Sequence, residues 1–187
     1  MTASETGVRS SFPETRGRDK GYEKQPVDEF LARARASFEG GTDELSSADI
    51  RQAAFPLVRH GYVIASVDAA LGRIEDAFAA RERSSAVAES GMRAWVGHTR
   101  ELAQEILDRL SRPATKRFDR VSRLRYGYRI AEVDLVTDKL VRYLEAGDAV
   151  TVEQVRSVAF RMQRGGYRET QVDAVLDAVV EVMLAVK

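Results

Sequence analysis

The sequence predicts an all-α protein of repeated short helix–loop–long helix units, packed as helical hairpins or short coiled coils. Two observations predict it. A Gly-Tyr pair followed after four residues by Val-Asp occurs four times, and behind each copy the apolar residues fall at spacings of four, three and four. Composition agrees: 44% of residues are hydrophobic and 31% charged, and no proline follows Pro113, a balance suited to soluble helices.

The copies are Gly21-Tyr22 with Val27-Asp28, Gly61-Tyr62 with Val67-Asp68, Gly127-Tyr128 with Val133-Asp134, and Gly166-Tyr167 with Val172-Asp173. Four matched positions arise by chance at well under roughly one in ten thousand per site. The second and fourth copies agree further. Arg51, Phe55, Arg59 and Leu71 in one align with Arg156, Phe160, Arg164 and Leu176 in the other. The third copy has Val121 at the phenylalanine position, and the first, which looks worn, has Thr15 there.

Each unit reads as a short helix, a tight loop and a longer helix. Ser46 or Ser47 caps the short helix before Ile50, and Thr151 with Gln154 makes a capping box. The repeat glycine then ends the short helix, where positive φ is expected. Gly21, whose preceding helix looks lost, should therefore tolerate valine. The long helices carry the seams Val27-Leu31-Ala34-Phe38, Val67-Leu71-Ile74-Phe78, Val133-Thr137-Leu140-Leu144 and Val172-Leu176-Val179-Met183. The repeat aspartate falls in the first turn, where negative charge suits the helix N-terminus. A free helix of two heptads is marginal in water, so each stripe must be buried against another unit or another chain. An aspartate at Leu71 or Leu176 should be severe, and one at Arg81, on the weaker extension of the second long helix, far milder.

Boundaries follow from the repeats. Residues 1–19 are expected as a disordered tail, 20–111 as repeats 1 and 2 with a helical extension, and 112–187 as repeats 3 and 4. The extension runs on through Trp95 and Ile106 to Leu110 or breaks near 84–91. No strand is expected, and helix content should exceed about 60%. Met1 to Lys20 lacks the apolar stretch of a secretory signal, and no stretch is long enough to span a membrane. The chain is expected in the cytoplasm. It has no cysteine, which excludes disulfide and thiolate chemistry.

The stretch Leu45-Ser46-Ser47-Ala48-Asp49-Ile50-Arg51, then Phe55, Arg59-His60-Gly61-Tyr62 and Val67-Asp68, resembles the N-terminal module of the DivIVA family. It is similar also to small actinobacterial proteins with several such repeats. The resemblance covers roughly residues 18–80 and 117–186. It implies a short helix and loop capping a parallel coiled-coil dimer, in a protein that marks the cell pole or division site and recruits cell-wall or division machinery. The best-studied members carry an aromatic residue and an arginine just before Gly-Tyr, which touch the membrane. Here those positions are Asp19-Lys20, Arg59-His60, Arg125-Tyr126 and Arg164-Gly165, and none has the aromatic first. A small adaptor at the inner face of the membrane, rather than a polymerising scaffold, is the implied role.

No catalytic, cofactor-binding or metal-binding residue is expected. The chain has no phosphate loop, no paired-histidine spacing and no serine elbow; His60 and His98 read as solvated. The four repeat aspartates read as helix starts rather than metal ligands. The Gly-Tyr pairs are a partner surface or, as favoured, a hydrophobic plug. Arg59, Arg125 and Arg164 either pair with the aspartates or face an anionic partner. Formal net charge is zero, but Arg112, Lys116, Arg117, Arg120, Arg123, Arg125 and Arg129 form a basic patch opposed only by Asp119. It reads first as a solvated helix face, with acidic phospholipid or nucleic acid as alternatives. The expected partners are the chain itself, with a dimer favoured, and division or envelope proteins. Weak anionic-membrane contact is the secondary expectation, and nucleic acid is disfavoured.

Overall fold

The computed structural model describes residues 12–42 and 44–186. Seven helices make up 61% of it. They run in the order β1 (Lys20–Tyr22), α1 (Lys24–Gly40), α2 (Ser47–Arg51), β2 (Leu57–Arg59), α3 (Ile64–Ser90), α4 (Met92–Leu110), β3 (Tyr126–Tyr128), α5 (Ile130–Ala146), α6 (Val152–Arg156), β4 (Met162–Arg164) and α7 (Glu169–Ala185). The chain divides into two compact units, residues 1–82 and 83–187.

Both units contain the same strand–long helix–short helix–strand–long helix succession. The expectation of no strand is corrected: β1 pairs antiparallel with β2, and β3 with β4. Each strand has only three residues, too few for an alternating pattern to register in a sequence. The short helices precede only the second and fourth copies. Thr151 caps α6 in the expected box with Gln154, and of the two candidate caps of α2 it is Ser46 that closes the helix, in a reciprocal box with Asp49. The long helices α1 and α5 stop at Gly41 and Gly147, whose φ values of 62° and 73° allow the left-handed close.

Two boundaries differ from expectation. Phe12 packs its ring against Tyr62, and the Thr15 amide donates to the Gly61 carbonyl at 2.8 Å. Residues 12–15 are therefore part of the first unit rather than of a tail; residues 1–11 lie outside the described residues. The division between units falls at 82/83 instead of 111/112 because α4 packs against α5 and α7. The chain turns at Gly91, with φ 87°, at the late end of the expected break.

In the first unit the core joins Val27, Phe30 and Ala34 of α1 to Val67, Leu71 and Phe78 of α3, with Ile50 and Tyr62. In the second, Val133, Thr137 and Leu140 of α5, Val172, Val179 and Met183 of α7, and Ile106 and Leu110 of α4 are buried. The seams are thus buried along most of their length, and Phe38 is the exposed exception.

Candidate functional site

The four repeat motifs come together in pairs, each pair forming a crossed joint inside one unit. In the first, the Tyr22 amide donates to the Tyr62 carbonyl at 2.9 Å and the Tyr62 amide to the Tyr22 carbonyl at 2.8 Å. In the second, Tyr128 and Tyr167 exchange the same two bonds, each 2.9 Å. The side chains cross as well. The Tyr62 hydroxyl donates to Asp28 at 3.2 Å, and the Tyr22 hydroxyl to Asp68. Tyr167 donates to Asp134 at 3.0 Å, and Tyr128 to Asp173 at 3.4 Å. Every repeat tyrosine therefore bonds the aspartate of the other copy.

This arrangement explains the spacing of the motif. Val27, Val67, Val133 and Val172 are fully buried beside the joints, and each fixes the following aspartate where the crossing tyrosine can reach it. The aspartates are the fifth residues of α1, α3, α5 and α7, beyond the first turn. Their role is to accept a hydroxyl rather than to complement the helix dipole.

The glycines are needed for a different reason from the one expected. Positive φ falls one residue earlier, on His60 (57°) and Gly165 (63°), and on none of the four repeat glycines. What the repeat glycines supply is room. A Cβ on Gly21 would strike the Tyr62 carbonyl, and one on Gly127 the Tyr167 carbonyl. One on Gly61 would stand 2.6 Å from the Gly21 carbonyl oxygen, and one on Gly166 2.7 Å from that of Gly127. These are backbone atoms that cannot swing aside. Gly21 is as constrained as the others, so its expected tolerance to valine is withdrawn.

Four phenylalanines close the joints. The Tyr22 ring meets Phe55 at 5.3 Å and Tyr128 meets Phe160 at 5.1 Å, while Tyr62 meets Phe12 and Tyr167 meets Phe118, both at 5.3 Å. Phe12 and Phe118 were not singled out from the sequence. The signal is there: Phe12 stands ten residues before Tyr22 and Phe118 ten before Tyr128, a spacing visible only when the first copy is aligned with the third. Burial, then the facing carboxylates, pushes the Tyr128 and Tyr167 hydroxyls up to about 12. Burial also raises Asp68 and Asp173, against the lowering effect of their tyrosine bonds.

The basic patch is not a helix face. Residues 111–125 are irregular chain with one bridging residue, and the patch is divided in its use. Arg117 is buried, donating to the Arg112 and Asp134 carbonyls and to Asp138 at 2.6 Å. Arg120 donates to the Gly165 carbonyl, and Arg129 pairs with Glu132 at 3.4 Å. Lys116, Arg123 and Arg125 remain exposed. Between them Leu124 is 87% exposed and Tyr126 55%, with the Arg164 guanidinium 5.5 Å from the Tyr126 ring. None of Arg59, Arg125 and Arg164 pairs with a repeat aspartate among the described residues.

No described group of three His, Cys, Asp or Glu side chains is placed to hold a metal ion, and no described helix is long and apolar enough to cross a membrane. Comparison with family models, with curated proteins and with solved structures finds no match.

Proposed function

We propose that the chain is a non-catalytic helical adaptor of bacterial cell division or polar envelope growth, acting by self-association and partner recruitment, with its paired long helices as short coiled coils. The observation that carries the reading is the closure of all four motifs into two joints. The motif's tyrosines, aspartates and glycines are spent on one another, which leaves the outer helix faces and loops for partners. On this reading the protein sits in the cytoplasm, peripheral to the inner face of the membrane at pole or septum. A fluorescent fusion expressed from its own promoter tests it. Foci at poles or septa, with a dimeric mass by light scattering, support the reading; a diffuse signal from a monomer defeats it.

A second reading has its own observation. Leu124 and Tyr126 project among Arg123, Arg125 and Arg164, an apolar tip ringed by cations that suits an anionic membrane surface. Sedimentation with phosphatidylglycerol vesicles that weakens in Leu124→Glu supports it. Salt-sensitive binding to duplex DNA instead would favour nucleic acid.

A further inference from the structure

The two units differ in what lies along one flank of their paired long helices. In the second, α4 packs on α5 and α7 and buries Val175 and Val182 of α7 to 7% and 4% exposure. Those two valines lie off the seam, on the flank of α7 away from the side of Val180. In the first unit the side of α3 corresponding to Val180 carries Glu75 and Glu82, which take Arg51 and Ser47 of α2. On α1 that same side carries Pro26, Glu29 and Arg33, which border the cleft with Ala53 and Phe55. The opposite flank of the first unit is the counterpart of the α4 seat. There Ala70 and Ala77 replace the two valines, half-buried and exposed, beside half-buried Leu31 and Ile74 and Phe38 at 42% exposure.

The rims differ in charge. Val141, Ala178 and Val186 of the second unit correspond to Arg35, Arg73 and Arg81 of the first. Arg35 pairs only with Glu39 of its own helix, and Arg73 has no acidic partner among the described residues. Arg81 lies over Phe38 and Phe78 at the end of the flank. An apolar strip edged by three arginines complements an apolar stripe edged by carboxylates.

We infer that the α1–α3 flank of the first unit is a seat for one amphipathic helix of a protein partner, with apolar residues three and four apart and acidic residues on both flanks. It takes in the first unit the place that α4 takes in the second. The 17 residues of α1 span about 25 Å, room for a helix of four to five turns. The inference names the partner chemistry of the proposed adaptor and rests on that reading only in requiring a partner.

The test uses the full chain and a labelled helical peptide. The peptide copies residues 92–110 with Arg93, Arg100 and Arg109 replaced by glutamate. Fluorescence anisotropy should show binding that Arg35→Glu with Arg73→Glu weakens roughly tenfold or more. The unaltered 92–110 peptide should bind more weakly, and Arg142→Glu in the second unit should change nothing. Circular dichroism checks that the variants are folded. Absence of binding, or binding indifferent to the two reversals, overturns the inference. So does a dimer of the chain alone that the two reversals dissolve, because the occupant is then a second copy. Foci and a dimeric mass that persist without peptide binding would refute the seat and leave the adaptor reading intact.

Discussion

Both units bury an apolar residue of the short helix, Ile50 of α2 or Val155 of α6, but the first adds charged ties to the long helix where the second adds further apolar packing. In the first, Arg51 of α2 donates to Glu75 of α3 at 2.7 Å, with the Glu75 side chain 3% exposed. The amide and hydroxyl of Ser47 both bond Glu82 at 2.6 Å. In the second, the counterpart of Glu75 is Val180; it is buried, as are Val152 and Val155 of α6 and Leu184 of α7. The joints are the same in both. The crossed tyrosine pair therefore fixes the unit, while the clasp on the short helix can be ionic or apolar.

The largest expected effects break what the units share. Gly21→Val and Gly127→Val should each cost about 3 kcal/mol, because the new methyls meet backbone carbonyls. Chemical denaturation measures this, and a silent Gly21→Val would mean that the first joint is not closed. Leu71→Asp should be comparable, as it places a carboxylate in a core position 8% exposed.

Next come the clasps. Glu75→Ala should cost about 3 kcal/mol by leaving Arg51 without its carboxylate in a buried site. Arg51→Met with Glu75→Val, which replaces both charges of the clasp by apolar groups, should recover most of that loss. A double variant as unstable as the single one would show that the ionic clasp is not replaceable.

Arg81→Ala should cost about 1–2 kcal/mol. Its guanidinium donates to the Ser37 and Thr42 carbonyls at the end of α1 and lies 4.7 Å from the Phe78 ring. The sequence suggested a mild position there. The structure makes Arg81 the tie on the last turn of α1, so Arg81→Asp should be at least as damaging.

The smallest expected effect is alkaline. Tyr128 and Tyr167 are raised from 10 to about 12, so folding favours their neutral form. The stability they contribute is fully present below pH 10 and is lost as pH rises toward 12. Tyr128→Phe with Tyr167→Phe should flatten the fall in melting temperature across that window. An unchanged fall would place its cause outside the joint.

These outcomes follow lines only partly readable in the residues. The cap at Ser46 or Ser47, the box at Thr151 and the seams all depend on neighbours within a few positions, and local pattern records them. The joints depend on residues about 33 to 46 apart. The repeat advertised Tyr22 and Asp68 as members of a motif but not as members of different pairs. Nor did it show that the glycines serve close approach, since turns and crossings demand the same residue. The arginines of 112–129 looked alike as a run. Only the fold separates Arg117, sunk against Asp134 and Asp138, from Arg123 and Arg125, which face water.

The central claim is that each joint closes within one chain, and cross-linking tests it most directly. The chain has no cysteine of its own, and Lys20 stands opposite Arg59 across the β1–β2 pair. Lys20→Cys with Arg59→Cys in one chain should oxidise to a closed monomer that migrates faster on a non-reducing gel. Mixing the two single variants should give no Lys20→Cys/Arg59→Cys cross-link. A covalent dimer from the mixed single variants would contradict the account, because the motifs would then pair between chains.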